Sequence, residues 1–314
     1  MNIHIESRGE FGNMQENPFP DITIADWTFL DASGGRSNCP KCGKSRKYYC
    51  YNCLVPLPSL SAEMPKVKLP IMIDIIKHPS ETDGKSTAPH AVIIAPEHVS
   101  IHTYPCIPDY DPVKVVVVFP CKESLTLEDI ASSAGKMTAE SKEVEQKNQL
   151  SNDCEQDSSS CTDALEETKP NSSDEIGKNK TKKRVMEITD ISTEETPPTK
   201  VIKKCNALPF EKVVFIDSTW NQTNNIVNDE RLKKLRKIEL RSRNTHFWRS
   251  QDGIPRSYLS TIEAIYYFLK DFHLLFIDSD YNHEYDNLLF FFCFMYQKIQ
   301  SNLKGKKQLK AYQR

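Results

Sequence analysis

Three groups of residues in this chain have the types and spacing to do chemistry. The first is Asp217-Ser218-Thr219-Trp220, which brings a carboxylate, hydroxyls and an indole together directly after the apolar run Val213-Val214-Phe215-Ile216. Ligands of open parallel α/β sheets bind at the carboxyl ends of the strands, so this placement marks a ligand site. The plainer reading is a loop-capping Asp and a core Trp. The second group is Cys39, Cys42, Cys50 and Cys53, a Cys-x2-Cys-x7-Cys-x2-Cys array. Each Cys-x2-Cys pair can put two thiolates on one tetrahedral ion, and a complete set of four leaves no position for water. The array therefore predicts a structural zinc knuckle. The third group is basic and aromatic. Arg231, Lys233, Lys234, Arg236, Lys237, Arg241, Arg243 and Arg249 run past His246, Phe247 and Trp248. Cations interleaved with rings suit single-stranded or looped RNA; the same residues also read as a solvated helix face beside core aromatics.

The elements that must position these groups are legible in outline. Val213–Ile216 is β-branched or aromatic throughout, the mark of a strand buried on both faces. The stretch 67–76, VKLPIMIDII, and the stretch 113–119, VKVVVVF, predict two more strands. Between them, KHPSETDGKST (77–87) supplies polar and turn residues that can open a helix and meet an anion. Residues 91–95, AVIIA, fit either helix or strand. Asn228-Asp229-Glu230 reads as a helix start, with Leu232, Leu235 and Ile238 at helical spacing. Ser260-Thr261-Ile262-Glu263 is a capping box, followed by an apolar face at Ile262, Ile265, Tyr266 and Leu269. Residues 273–278 continue as strand or helix, and 288–299 predict a buried helix. These elements define an α/β fold with a mostly parallel sheet flanked by helices.

Composition bounds the rest. Hydrophobic residues make up 38% and charged residues 27% of 314, which is lean for a chain folded throughout. The deficit falls in 124–204, a stretch rich in Ser, Glu, Asp, Lys and Thr that predicts a disordered insertion. Within it, KNKTKKR (178–184) reads as a nuclear localisation signal or as a solvated charge run. The expected organisation is a flexible tail (1–25), the zinc knuckle (26–60), a catalytic domain in two pieces (61–123 and 205–302) and a basic tail (303–314). The net charge of −2 confines any nucleic-acid affinity to local patches. Ten cysteines without a secretion signal favour metal binding or free thiols over disulfides. The longest apolar run, 288–296, is far short of the ~20 residues that span a bilayer, so a soluble, intracellular protein with no membrane partner is expected. Nothing in the sequence marks an obligate protein partner.

Asp-x-Thr-Trp at 217–220 resembles the signature of the DTW-domain family. The resemblance extends to the upstream KHPSETDGKST segment, the downstream LSTIEAIYYFL segment (259–269) and the cysteine cluster. It covers roughly residues 25–120 and 205–300, and its order and spacing resemble the vertebrate-type tRNA-uridine aminocarboxypropyltransferases. The resemblance implies a SPOUT-like fold, a class that includes knotted members. It implies transfer of the 3-amino-3-carboxypropyl group of S-adenosylmethionine to N3 of a tRNA uridine, in the dihydrouridine loop. In that reading Asp217 acts as base or orients the nucleophile, while Thr219 and Trp220 contact cofactor or uracil. Leu259, Ser260, Thr261 and Glu263 lie beside the cofactor. His78, Glu81 and Lys85 line the site, and Arg241, Arg243 and Arg249 meet the RNA. A methyltransferase with the same cofactor and a zinc-containing RNA-binding adaptor are the competing readings.

Overall fold

The computed structural model describes residues 18–133, 208–248 and 255–305, with Trp220, Asn221 and 303–305 described by backbone alone. The basic cluster 178–184 and Arg249 lie outside the described residues.

After a short helix α1 (Thr28–Ala32), the chain makes two small antiparallel hairpins. Strands β1 (Ser37–Asn38) and β2 (Ser45–Arg46) form the first, and β3 (Tyr49–Cys50) and β4 (Val55–Pro56) the second. The main sheet starts with β5 (Met72–Lys77), which feeds α2 (Ala88–Ile94) and β6 (Val99–Thr103). The chain then crosses back to β7 (Val115–Val118), followed by a helical segment α3 at 127–133. Strand β8 (Lys212–Asp217) enters between β5 and β7, and passes through α4 (Trp220–Val227) and α5 (Glu230–Lys233) to the edge strand β9 (Arg236–Ile238). The chain ends with α6 (Thr261–Phe276), a 3₁₀ turn (Asp286–Leu289) and α7 (Phe290–Gly305).

The five-stranded sheet has the order β6-β5-β8-β7-β9, and every pair is parallel. Parallel sheets need both faces covered. On one face Ile73, Ile75, Val213 and Phe215 join a core with Phe268, Leu269, Phe272 and Phe291 from α6 and α7. On the other, Ile76, Val117 and Val214 meet Tyr110, Ile226, Leu232 and Leu235. The run Leu288–Phe294 is apolar on every side and entirely buried, so this helix start lies inside the core. Each of its phenylalanines contributes about 1.5–3 kcal/mol of burial. The central strand is β8, and its last residue is Asp217.

One buried carboxylate ties the C-terminal helices to the N-terminal segment. Asp286 has no exposed surface. It accepts the Thr23 N–H (2.7 Å), the Tyr266 and Tyr281 hydroxyls (3.0 and 2.7 Å) and pairs with His283 Nδ1 (2.6 Å). Removing it strands two hydroxyls and an N–H in the interior. Asp286→Ala is therefore expected to cost ~3–5 kcal/mol and to lower the melting temperature by roughly ten degrees. Thermal denaturation checks this; a shift of only a degree or two would show that the neighbours repack at no cost.

Several sequence expectations are corrected. The strand expected from residue 67 starts only at Met72, because Pro70 has no N–H for a ladder. Residues 91–95 and 273–276, which fit either helix or strand, resolve as helix: the first fall in or directly after α2 and the second continue α6. Asn228 does not open a helix but closes α4; Asp229 is the N-cap, accepting the Arg231 N–H. The helix it starts is a single turn. Leu235 and Ile238, spaced to continue it, instead flank and end β9, where pairing with β7 covers a sheet edge. The flexible tail expected to residue 25 is docked from Phe19 onward, with that ring 5% exposed among His246, Tyr266 and Phe292. Residues 125–131, expected in the insertion, belong to the fold: Leu125 bridges Ile238, and Leu127, Ile130 and Ala131 are buried.

Candidate active site

Beyond the carboxyl ends of β7, β8 and β9 lies a cleft of about 860 Å³. Its floor is Asp217, set at the end of the central strand. The carboxylate is 5% exposed. One oxygen accepts the Ser86 hydroxyl at 2.8 Å, the other the Thr261 hydroxyl at 2.6 Å. Ser86 Oγ also accepts the Ala88 N–H at the start of α2 (3.0 Å), and Thr261 is the first residue of α6. Thr87 Oγ1 accepts the Ile262 N–H (3.2 Å), joining the two helix starts directly. A strand end and two helix N-termini thus converge on one carboxylate, with both dipoles favouring its charge. Burial pushes Asp217 above the usual carboxylate range; the two hydroxyls and the Lys77 ammonium pull against it.

The cleft wall is held from beneath by Glu263, which has no exposed surface. Its carboxylate accepts the Ser260 N–H (2.8 Å), closing the expected capping box. It also accepts the Thr245 hydroxyl and the His246 N–H, both at 2.7 Å. Those bonds fix the segment that carries Phe247 and Trp248 into the cleft, where Trp248 also packs on Phe292.

The expected site residues do not all meet. Glu81, Lys85, Asp217, Thr219, Arg241, Leu259, Ser260 and Thr261 line the cleft. Thr219 is the N-cap of α4 and Trp220 its first residue. Glu263 is a support under the wall, fully used by the loop it holds. His78 is not on the cleft: its Nδ1 accepts the Ser80 N–H (3.1 Å), and its own N–H extends the ladder to Asp217 O (3.0 Å). Arg243 donates Nη2 to the buried Asp271 (2.6 Å) and lies over the Tyr267 ring, so it is held inside the fold. Arg241 pairs with Glu128 at the rim. Sequence reasoning passed over Ser86 as a partner of Asp217, although its place before a helix start was visible. It missed Arg256 and Tyr258, which lie in a turn-rich loop without periodicity.

The cysteine array folds as two turns. Cys39 and Cys42 bracket the turn of the first hairpin, and Cys50 and Cys53 that of the second. Gly43 (φ +69°) and Leu54 (φ +56°) take the left-handed conformation that follows each pair. All four sulfurs lie within 4.8 Å of one another and could hold a metal ion. Burial works to raise the Cys50 thiol, but the N–H groups of Cys53 and Asn52 and the neighbouring thiols bring it down to about 6. Cys53 is pushed up to about 12, first by its contact with Cys42 and then by burial. The four thiols compete for charge, which a dication would settle in favour of thiolate.

The second turn reaches the segment that borders the cleft. Asn52 accepts from Arg46 and donates to Asp83 (both 2.5 Å), Lys77 pairs with Asp83 (2.6 Å), and a Cβ at Gly84 would lie 3.6 Å from the Tyr51 ring. Tyr49 meets His90 of α2 at 2.9 Å. Burial drives His90 down to about 3, so it is neutral. The array therefore braces the segment that ends in Ser86, the partner of Asp217.

A parallel α/β sheet with a polar cleft at its strand ends, floored by the Asp of an Asp-x-Thr-Trp segment, defines the class: the chain belongs to the DTW domain family, whose model matches residues 47–300. Its relatives include proteins named tRNA-uridine aminocarboxypropyltransferase 1. The one from Xenopus tropicalis is 46% identical over 95% of this chain and 91% of its own length. Those from Mus musculus and Homo sapiens are 43% and 42% identical, over 94% and 91% of this chain and 89% and 85% of their own lengths. No solved structure matches the chain. Among the described residues, no helix is long and apolar enough to cross a membrane.

Proposed function

We propose that this chain transfers the 3-amino-3-carboxypropyl group from S-adenosylmethionine to N3 of a uridine in the dihydrouridine loop of tRNA. The observation that carries the reading is its near-full-length similarity to relatives named tRNA-uridine aminocarboxypropyltransferase 1, a name that gives the group moved and the tRNA uridine; the donor, the N3 position and the loop are this reading's own. The geometry supports it. A cleft of about 860 Å³ is within the range of small-molecule sites, about 300–1,000 Å³. Its lining fits the cosubstrate: the N-terminus of the 16-residue α6, at Leu259-Ser260-Thr261, suits the amino-acid carboxylate. Arg256 also lines the cleft, and Leu240 and Phe247 offer apolar walls.

When bound, S-adenosylmethionine supplies an electrophilic carbon beside its sulfonium; the carbon–sulfur bond breaks as the N3–carbon bond forms, and neutral methylthioadenosine leaves. The chain's part is to hold the two reactants in line and to accept the imide proton of N3. Asp217 is assigned that proton. Its raised pKa makes it a stronger base than an exposed carboxylate, and Ser86 and Thr261 aim its oxygens. Thr219 and Trp220, at the start of α4, are assigned to the uracil or the cofactor. The Cys39, Cys42, Cys50 and Cys53 site is assigned to zinc. Cys42 and Cys50 are 3.7 Å apart, close to the ~3.8 Å edge of a tetrahedron with ~2.3 Å Zn–S bonds.

Two tests follow. With tRNA and S-adenosylmethionine, methylthioadenosine should accumulate in step with modified tRNA; S-adenosylhomocysteine in its place would identify a methyltransferase. Asp217 must be ionised to act as base, so kcat/KM should fall as pH drops through its raised pKa, above the ordinary value of about 4. Stability moves the other way: a carboxyl whose folded-state pKa is raised costs stability as pH rises through that pKa. A rate flat down to about pH 4 would remove Asp217 from the proton transfer.

A further inference from the structure

The structure sorts the basic residues around β9 by what already holds them. Arg231 grips Asp229 with two nitrogens and donates to the carbonyls of Pro105 and Ile107, all at 2.8–2.9 Å. Arg236 points at the carbonyls of Val113 and Pro209, each 3.4 Å away. Arg243 belongs to Asp271, and Arg241 to Glu128. Arg231 and Arg243 thereby staple the fold, whereas Arg236 and Arg241 are engaged by long or exposed contacts. Lys122, Lys233 and Lys237 differ, because among the described residues none of the three has an ion-pair partner. They line one hollow of about 350 Å³, with Asn224 and Asn228 beside them and Glu123 as its one acid.

Lysines often collect where helix carbonyls end. That accounts for Lys233, in the last turn of α5, but not for Lys237 on a strand or Lys122 in a loop. The loop is also built in place. Phe119 donates to Ile238 O (2.9 Å), Leu125 to Lys237 O (2.9 Å), and Glu239 to Leu125 O (3.0 Å), strapping 119–125 across the end of β9. The hollow's walls are therefore preorganised, which lowers the cost of holding a ligand. Phe119 lines both this hollow and the cleft that holds Asp217. A chain whose base entered the cleft would cross Phe119 and bring its adjoining backbone group to the three ammonium groups.

We infer that this hollow is a phosphate subsite for RNA, in which Lys122, Lys233 and Lys237 hold the phosphodiester next to the uridine in the cleft. The inference rests on the RNA-modifying reading above and adds where the strand leaves the active site. Ammonium groups act on phosphate as point charges, so the subsite is indifferent to base sequence. It sets the register of the uridine rather than its identity.

The test is tRNA binding measured across a series of KCl concentrations, for the full chain and for a Lys233→Ala/Lys237→Ala variant. A Lys270→Ala/Lys298→Ala variant, which removes the same charge from α6 and α7, is the control. Affinity of the first variant should fall about tenfold at 0.1 M salt, and its log–log salt slope should shrink by roughly 1.4–1.8. S-adenosylmethionine affinity, read by calorimetry, should not change, and the control should keep the wild-type slope. A Lys122→Ala/Lys233→Ala/Lys237→Ala variant should lose about 0.7–0.9 more of the slope. Wild-type affinity and slope in the double variant would overturn the subsite, as would an equal loss in the control. The transferase reading fails separately, if wild-type protein binds tRNA but leaves every uridine unmodified.

Discussion

Asp217→Asn is expected to lower the transfer rate by ~10²–10⁴, the range that a positioned general base contributes, while tRNA and S-adenosylmethionine binding persist. Asparagine has the same shape and keeps one oxygen for a hydroxyl; its amide can donate to the other hydroxyl, so the joint between the starts of α2 and α6 survives. Burial disfavours the charge of Asp217, so removing that charge should not lower the melting temperature at neutral pH and can raise it. Lost rate with unchanged or higher stability is the signature of a group kept for chemistry. A variant as active as wild type would show that Asp217 is only the joint. A variant that unfolds would show that the fold depends on the charge.

The second large effect is expected at the cysteine array. Cys50→Ala should abolish metal binding, and with it a folding contribution that reaches about 10–16 kcal/mol for structural zinc in isolated peptides. Residues 37–56 have only two-residue strands, too short to persist without the ion. The damage should extend beyond them. Tyr51 and Asn52 brace the segment that ends in Ser86, so hydrogen exchange should quicken across 80–90 as well as 37–56, and S-adenosylmethionine should bind more weakly. Metal analysis and exchange mass spectrometry on the same sample check both. Protection unchanged at 80–90 in metal-free protein would uncouple the array from the cleft.

Where the sequence could be read, local physics was the reason. Val115–Val118 and Val213–Ile216 are unbroken β-branched or aromatic runs, and Ile73–Ile76 is interrupted only by Asp74; such runs have few options other than a doubly covered strand. Ser260 and Glu263 formed their capping box because its bonds span three residues. The paired cysteines came together because each pair is a single turn. What failed was non-local. Leu232, Leu235 and Ile238 satisfy helical spacing, but an uncovered β7 edge claims Ile238 for β9. Arg243 has the same chemistry as the other arginines it was grouped with, and only the fold shows Asp271 waiting for it. Asp217 was visible as a candidate site residue from its place after a strand. Its two hydroxyl partners come from segments 131 residues upstream and 44 residues downstream, a convergence that pattern alone does not carry. The separation of Lys122, Lys233 and Lys237 from the paired arginines is likewise a property of the fold and not of local pattern.

The most direct test of the account is nucleoside mass spectrometry of tRNA transcript incubated with the purified full chain and S-adenosylmethionine, with Asp217→Asn protein run in parallel. The account predicts a uridine heavier by one aminocarboxypropyl group in the wild-type digest, substituted at N3, and essentially none from the variant. A uridine heavier by a methyl group, or an unmodified digest from protein shown to bind both ligands, would contradict it.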